Sequence, residues 1–184
     1  MKKTLLTLLA FALLASNAAF AQGNASSYYR KIAGEQRKIR TKQVIFYNTS
    51  LQYTDAARLS KSRDMVLTQV DATKKIMSKT PAYLGDSAMR NGYVRILEIY
   101  LEAYTTAFDS VQKLSKTMGN SEADLKRYQD AFYRMEGLVD DAEFKWEQND
   151  TYFTNYYTVT PMEDPTAAQL RTLRSLSIYV QDIR

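Results

Sequence analysis

Apolar side chains recur every three or four positions along most of this chain, the spacing of helices that bury one face. The clearest run is Met89, Tyr93, Ile96, Tyr100, Ala103, Ala107, Val111, Leu114 and Met118. Asp86 stands at the N-cap position of that helix, and Gly119-Asn120 closes it with residues that tolerate left-handed geometry. A further helix follows at once. Ser121 and Asp124 form a capping box, with Asp where Glu or Gln is preferred. Its stripe of Leu125, Tyr128, Phe132, Met135, Val139, Ala142 and Trp146 carries it towards Tyr157.

Upstream, Leu59, Val66, Val70 and Met77 predict a helix over residues 55–79, with Pro81 and Gly85 in the loop after it. Tyr28, Ile32, Ile39 and Phe46 predict one over residues 25–48. Whether these two are separate is open, because no proline or glycine lies between Gln36 and Thr80. Asn48-Thr49-Ser50 is the best candidate break, since such side chains compete for backbone hydrogen bonds. Downstream, Pro161 to Pro165 reads as a loop, and Leu170, Leu173, Leu176, Val180 and Ile183 predict a shorter amphipathic helix. A strand through Ser177-Ile178-Tyr179-Val180 is the alternative. The expected fold is all-α: an up-down four-helix bundle with an additional short C-terminal helix in segment 158–184.

The first residues follow a different rule. Met1-Lys2-Lys3 is a positive start, Leu5 to Ala15 is nearly unbroken apolar sequence, and Ala19-Phe20-Ala21 has the small-x-small pattern of a cleavage site. The apolar core of about 11 residues is well short of the roughly 20 that span a bilayer. Residues 1–21 therefore read as a signal peptide cleaved after Ala21, leaving one domain over 22–184 with no transmembrane segment. Gln22, not cysteine, follows the cut, so no lipoprotein anchor is expected, and the mature protein is expected in the periplasm or outside the cell.

Composition narrows the chemistry. The net charge of +5 falls to +3 once Lys2 and Lys3 are removed, too small an excess to point to nucleic acid. With no cysteine, packing without disulfides must carry the stability of an exported protein. The absence of histidine removes Glu-x-x-His di-iron sites, c-type haem attachment, most catalytic zinc sites and the usual serine or cysteine triads. No Walker A or Rossmann glycine pattern occurs. Met77, Met89, Met118 and Met135 lie on apolar stripes and read as core filling. The run Asp140, Asp141, Glu143, Glu147 and Asp150 reads either as a weak site for a hard cation, or as a solvated face or partner for basic residues. No catalytic, cofactor-binding or metal-binding residue is assigned.

Charge is also unevenly placed. Arg30, Lys31, Arg37, Lys38, Arg40 and Lys42 face Glu35 alone in the first helix, whereas Glu122 to Asp150 holds nine acids and four bases. An up-down bundle makes these helices neighbours and sets their opposite charges against each other.

Two groups of residues stand out as candidates for binding or for a buried polar network. Glu35 falls on the inward stripe between Ile32 and Ile39, where an acid is rare. It either rotates to the stripe edge to pair with Arg or Lys, or joins Gln36 or a tyrosine hydroxyl of the third helix. Tyrosine is abundant, at fourteen residues. Tyr93, Tyr100, Tyr104 and Tyr128 have core-facing spacing; Tyr152, Phe153, Tyr156 and Tyr157 gather near the end of the fourth helix, as core with polar ends or as a recognition patch.

The string Tyr29-Arg30-Lys31-Ile32-Ala33-Gly34-Glu35-Gln36-Arg37-Lys38-Ile39 resembles the opening of the mature part of a family of small exported helical surface proteins of Gram-negative bacteria, typified by a hypothetical protein of leptospires. The run from Lys75-Ile76-Met77 to Gly85-Asp86 and the tyrosine-rich third helix extend the resemblance over about residues 25–157. It implies export and a helical fold, and brings no activity and no catalytic residues.

Two functions fit these features. One is a non-enzymatic binding or scaffold module of the envelope, whose partner is another envelope protein or an anionic polymer met by the basic face of the first two helices. The other is a ligand-binding or chaperone-like bundle with a tyrosine-lined groove, which requires a concave apolar site where the first predicts a filled core.

Overall fold

The chain forms α1 (Lys2–Gln52), α2 (Ala56–Ser78), α3 (Ala88–Glu102), a π-helical turn (Ala103–Ala107), α4 (Phe108–Ser115), α5 (Glu122–Tyr156) and α6 (Pro165–Asp182). The computed structural model describes the backbone of residues 2–52 and 55–183, and side chains within those spans from residue 25 onwards. The expected leader, residues 1–21, lies outside the described side chains. Among the described residues there is no β-strand, and no helix is long and apolar enough to cross a membrane. The protein is an all-helical bundle.

Caps set most of the helix ends. Asp55 accepts the Ala57 N–H at the start of α2, Ser121 accepts the Asp124 N–H at the start of α5, and Asp164 accepts the Thr166 N–H ahead of Pro165 in α6. The break between α1 and α2 therefore falls after Gln52 and not at Asn48-Thr49-Ser50. Those side chains do not compete with the helix: Thr49 and Ser50 donate back to the carbonyls of Ile45 and Tyr47, inside α1. At α3 the N-cap position belongs to Ser87, which makes no side-chain cap bond; Asp86 supplies the chemistry from one residue earlier by accepting the Ala88 N–H.

The long third helix is not continuous, as its spacing predicts, but passes through the π turn. There the Phe108 N–H reaches the Ala103 carbonyl, five residues back, and the Thr105 hydroxyl takes the Leu101 carbonyl. The extra residue turns Ala103, Tyr104, Ala107 and Phe108 all inward. Helix geometry ends at Ser115, so Leu114 and Met118 only lean on the core.

Packing runs α1 against α2 and α6, α2 against α3, and α5 against α3 and α4. Gly92 of α3 sits against α5, where an added Cβ would meet the Asn149 side chain at 2.7 Å. Asn149 uses that proximity to donate to the Met89 carbonyl. By contrast α1 and α5 approach closely at few places, because α6 lies along α1 and covers the seam. The charge expectation is corrected accordingly. Among the described bases of the first helix, Arg40 alone pairs with an α5 acid, Glu143, while Arg37 and Arg40 both reach Asp164 ahead of α6.

The buried face of α6 also differs from its apolar pattern. Leu170, Arg174, Ser177 and Gln181 face inward, whereas Leu176 and Ile183 are exposed. Arg174 turns the helix to this face by reaching Glu136 and Asp140 on α5.

Candidate functional site

The α1 sequence carries a second stripe beside its apolar one. Gln36, Arg40, Gln43 and Tyr47 step by four, three and four residues, so they stack on one face, and all four are buried. On α5, Glu136, Asp140, Glu143, Glu147 and Asp150 step in the same way. Where the two stripes meet, polar side chains cross the seam between the helices.

The upper crossing centres on Glu143. Its Oε1 accepts from Gln36 Nε2 at 3.2 Å and from the Tyr100 hydroxyl, which itself accepts from Gln36 Nε2 at 2.8 Å. Its Oε2 accepts from Arg40 Nε at 2.9 Å. The Arg40 Nη1 continues to Asp164 Oδ2 at 2.8 Å, tying α1 to the cap of α6. Burial works against the charge on Arg40, but Glu143 and Asp164 overcome it and hold the guanidinium firmly protonated. Burial and the Glu143 carboxylate push the Tyr100 hydroxyl well up.

The lower crossing centres on Glu136, which accepts the Tyr47 hydroxyl at 2.7 Å on one oxygen and Arg174 Nε at 2.9 Å on the other. Gln43 lies fully buried between the two crossings, beside the Tyr104 hydroxyl, and neither makes a hydrogen bond of good geometry. These arrangements hold helices in register; no side chain in them is both a free nucleophile and open to a substrate.

The predicted candidates divide among four places. Glu35 pairs with Lys38, which bonds one oxygen at 2.6 Å, while the Thr73 hydroxyl of α2 bonds the other at 3.2 Å, in place of the expected Gln36 or third-helix tyrosine. Gln36 and Tyr100 meet at Glu143, as described. Tyr93 and Tyr104 are core residues, Tyr93 edge-on to Trp146 at 5.2 Å and Tyr104 edge-on to Phe46 at 5.3 Å. The tyrosines at the end of α5 separate by face. Phe153 is buried, Tyr157 leans on it and donates to Asp86, while Tyr152 and Tyr156 stack on each other at the surface.

Four of the five acids in the run have a partner of their own. Asp140 pairs with Arg174, Asp141 with Lys145, Glu143 with Arg40, and Asp150 accepts the Tyr29 hydroxyl. Among the described residues no group of acids is gathered as a metal would require.

Two cavities accompany these networks; of the core-facing tyrosines and the acidic run singled out in the sequence, Tyr128 lines the apolar one, and Glu147 and Asp150 line the polar one. One, of about 360 Å³, is polar and lies between Tyr29, Arg40, Trp146, Asp150, Met162 and Asp164. Burial raises the Asp150 carboxyl there, against the Tyr29 hydroxyl and Arg40, which lower it. The other, of about 250 Å³, is mostly apolar, partly open to solvent and bordered by one end of five helices. Phe46, Tyr47 and Leu51 of α1, Leu59 of α2, Phe108 and Val111 of α4, Phe132 and Met135 of α5, and Val180 and Gln181 of α6 form its walls. No charged side chain lines it.

Sequence reasoning named Arg40 and Glu143 only as members of opposed charge runs, and missed Glu136 and Arg174. The polar stripe Gln36-Arg40-Gln43-Tyr47 was a usable signal for Glu136, since it repeats at helical spacing opposite a matching acidic stripe. No family model, curated protein or solved structure matches the chain.

Proposed function

We propose that the protein is an exported, non-enzymatic ligand-binding bundle that holds a small apolar molecule in the cavity at the end of α1, α2, α4, α5 and α6. The observation that carries this reading is the cavity itself: about 250 Å³, mostly apolar, uncharged and continuous with core residues such as Phe46, Phe108 and Phe132. An engineered apolar cavity of about 150 Å³ takes a benzene molecule, so this one accommodates roughly ten heavy atoms. It also favours a small ligand over the anionic polymer that the basic first two helices suggest. The leader sequence supports delivery to the periplasm or cell exterior, and the resemblance to exported helical surface proteins points the same way. In this reading α1, α2, the α3–α4 rod and α5 run up and down as a four-helix bundle, with α6 closing its widest seam.

The test is titration of the mature protein with n-octane, followed by calorimetry and by the shift in thermal midpoint. Binding raises the midpoint by mass action, because the unfolded chain has no cavity. Leu59→Trp, which puts a large ring into a half-buried wall, is expected to weaken binding more than about tenfold while the protein stays folded. Equal binding by both proteins places the ligand elsewhere and overturns the proposal.

A further inference from the structure

The polar cavity of about 360 Å³ shares no lining residue with the apolar one, and its wall carries acids that the protein leaves without a counter-ion. Among the described residues lining it, Arg40 is the only cation, and that guanidinium is already engaged: Nε and Nη2 bond Glu143, and Nη1 bonds Asp164. Arg37 adds a looser contact to Asp164 at 3.8 Å. Glu147, Asp150 and Thr151 remain, and their spacing of three and four residues puts all three on one face of α5. Glu147 makes no hydrogen bond or ion pair with a described residue, and neither does the Thr151 hydroxyl. Asp150 uses Oδ1 for the Tyr29 hydroxyl at 2.8 Å, and no described donor reaches its Oδ2. Unlike the sealed interior groups of Gln43 and Tyr93, that oxygen keeps contact with open space. Burial, the largest influence, raises the Asp150 carboxyl, and the neighbouring Glu147 adds to the rise.

From this wall we infer that the polar cavity binds a primary alkylammonium ion, whose N–H groups donate to Asp150 Oδ2, the Glu147 carboxylate and the Thr151 hydroxyl, and whose alkyl stem lies against Trp146 and Met162. The site is independent of the apolar cavity and of the ligand proposed there. Charge decides the sign of the ligand. Arg37 and Arg40 stand against Glu143, Glu147, Asp150 and Asp164, so the acids outnumber the bases by two. Among the described residues no acids gather closely enough to hold a metal ion, whereas a cavity of this volume admits a cation with a carbon stem. An ammonium group brings three N–H donors to three acceptors that lack one, and a quaternary ammonium brings none. Tryptophan is also the aromatic side chain that attracts a cation most strongly.

The experiment is calorimetric titration of the mature protein with n-butylammonium, 1-butanol and tetramethylammonium, repeated on Asp150→Asn and Glu147→Gln. Asp150→Asn keeps an acceptor for the Tyr29 hydroxyl, and Glu147 is exposed, so both variants are expected to fold, which their thermal midpoints check. n-Butylammonium is expected to bind the wild type, with 1-butanol and tetramethylammonium weaker by more than about tenfold. Asp150→Asn is expected to lower its affinity about tenfold and Glu147→Gln about threefold, the difference reflecting exposure to water. Asp130→Asn, at an exposed acid of α5 outside the cavity, and Leu59→Trp, in the wall of the apolar cavity, are expected to leave it unchanged. No binding by the wild type, an affinity unchanged in both cavity variants, or equal binding by 1-butanol or tetramethylammonium overturns the assignment. An equal loss in Asp130→Asn or Leu59→Trp overturns it too, and none of these results touches the reading of the apolar cavity.

Discussion

Arg174→Leu is expected to cost about 3–5 kcal/mol of stability at neutral pH, because it strands a buried carboxylate. Arg174 and Glu136 are 7% and 3% exposed at their side chains, so water cannot replace the lost cation. The guanidinium also holds the Glu136 backbone carbonyl and Asp140, which joins α6 to α5 at three points. Burial already raises the Glu136 carboxyl above its ordinary 4.5, with Arg174 the main opposing influence. The sign of the pH effect follows. A carboxyl raised in the folded state binds its proton more tightly there than in the unfolded chain, so stability falls as pH rises from 4.5 through the raised value. Removing Arg174 raises that carboxyl further, and the damage is greatest where Glu136 is forced to ionise. Urea unfolding at neutral pH and at about pH 5 is expected to show a smaller loss under the more acidic condition. Adding Glu136→Gln to the variant, which keeps an acceptor for Tyr47, is expected to recover much of the loss. A deficit below about 1 kcal/mol, or one indifferent to pH, would show that the pair does not hold α6.

Phe153→Ala is expected to cost a comparable amount, about 3–5 kcal/mol, by a different route. The ring is 1% exposed and touches four others: Tyr157 at 4.6 Å, Tyr28 at 5.6 Å, Tyr83 at 5.9 Å and Tyr29 at 6.3 Å between centroids. Those partners come from α1, from the loop between α2 and α3, and from the end of α5, so no single element can close the gap. Tyr83 is fixed in that loop by paired backbone bonds with Asp86, and Leu84 and Gly85 adopt positive φ there, which further limits collapse. Tyr156 provides the internal comparison. It is 68% exposed, and Tyr156→Ala is expected to change stability by no more than about 0.5 kcal/mol. Denaturant midpoints for the two variants side by side decide the matter. Similar losses would mean that the aromatic end of α5 acts as one surface patch and not as a core with an outer rim.

These two positions show where sequence reading succeeds and where it stops. Phe153 belongs to a run of aromatic residues at the end of α5, and the run itself was plain. Which rings turn inward was not, because the answer depends on Tyr28 and Tyr83, far away in the chain. Arg174 was invisible for a related reason. The apolar spacing of α6 pointed to Leu176 and Ile183, but a guanidinium reaching Glu136 outweighs the burial of those two aliphatic side chains and leaves both exposed. The π turn escaped notice because hydrophobic spacing alone tolerates one extra residue per turn.

Local chemistry was enough to determine the helical class, the cap at Ser121, the loop before Pro165 and the near-complete path of α5, since each depends on neighbours within a few residues. It also determined the absence of histidine and cysteine chemistry, which is a matter of composition. Only the tertiary structure decided that α6 covers the seam between α1 and α5, that Glu136 and Glu143 are held by Arg174 and Arg40, and that a cavity remains at one end. Each of these is a property of distances between segments separated by tens of residues. A cavity in particular is the volume left over when five helix ends fail to fill space together, and no periodicity along one chain records that remainder.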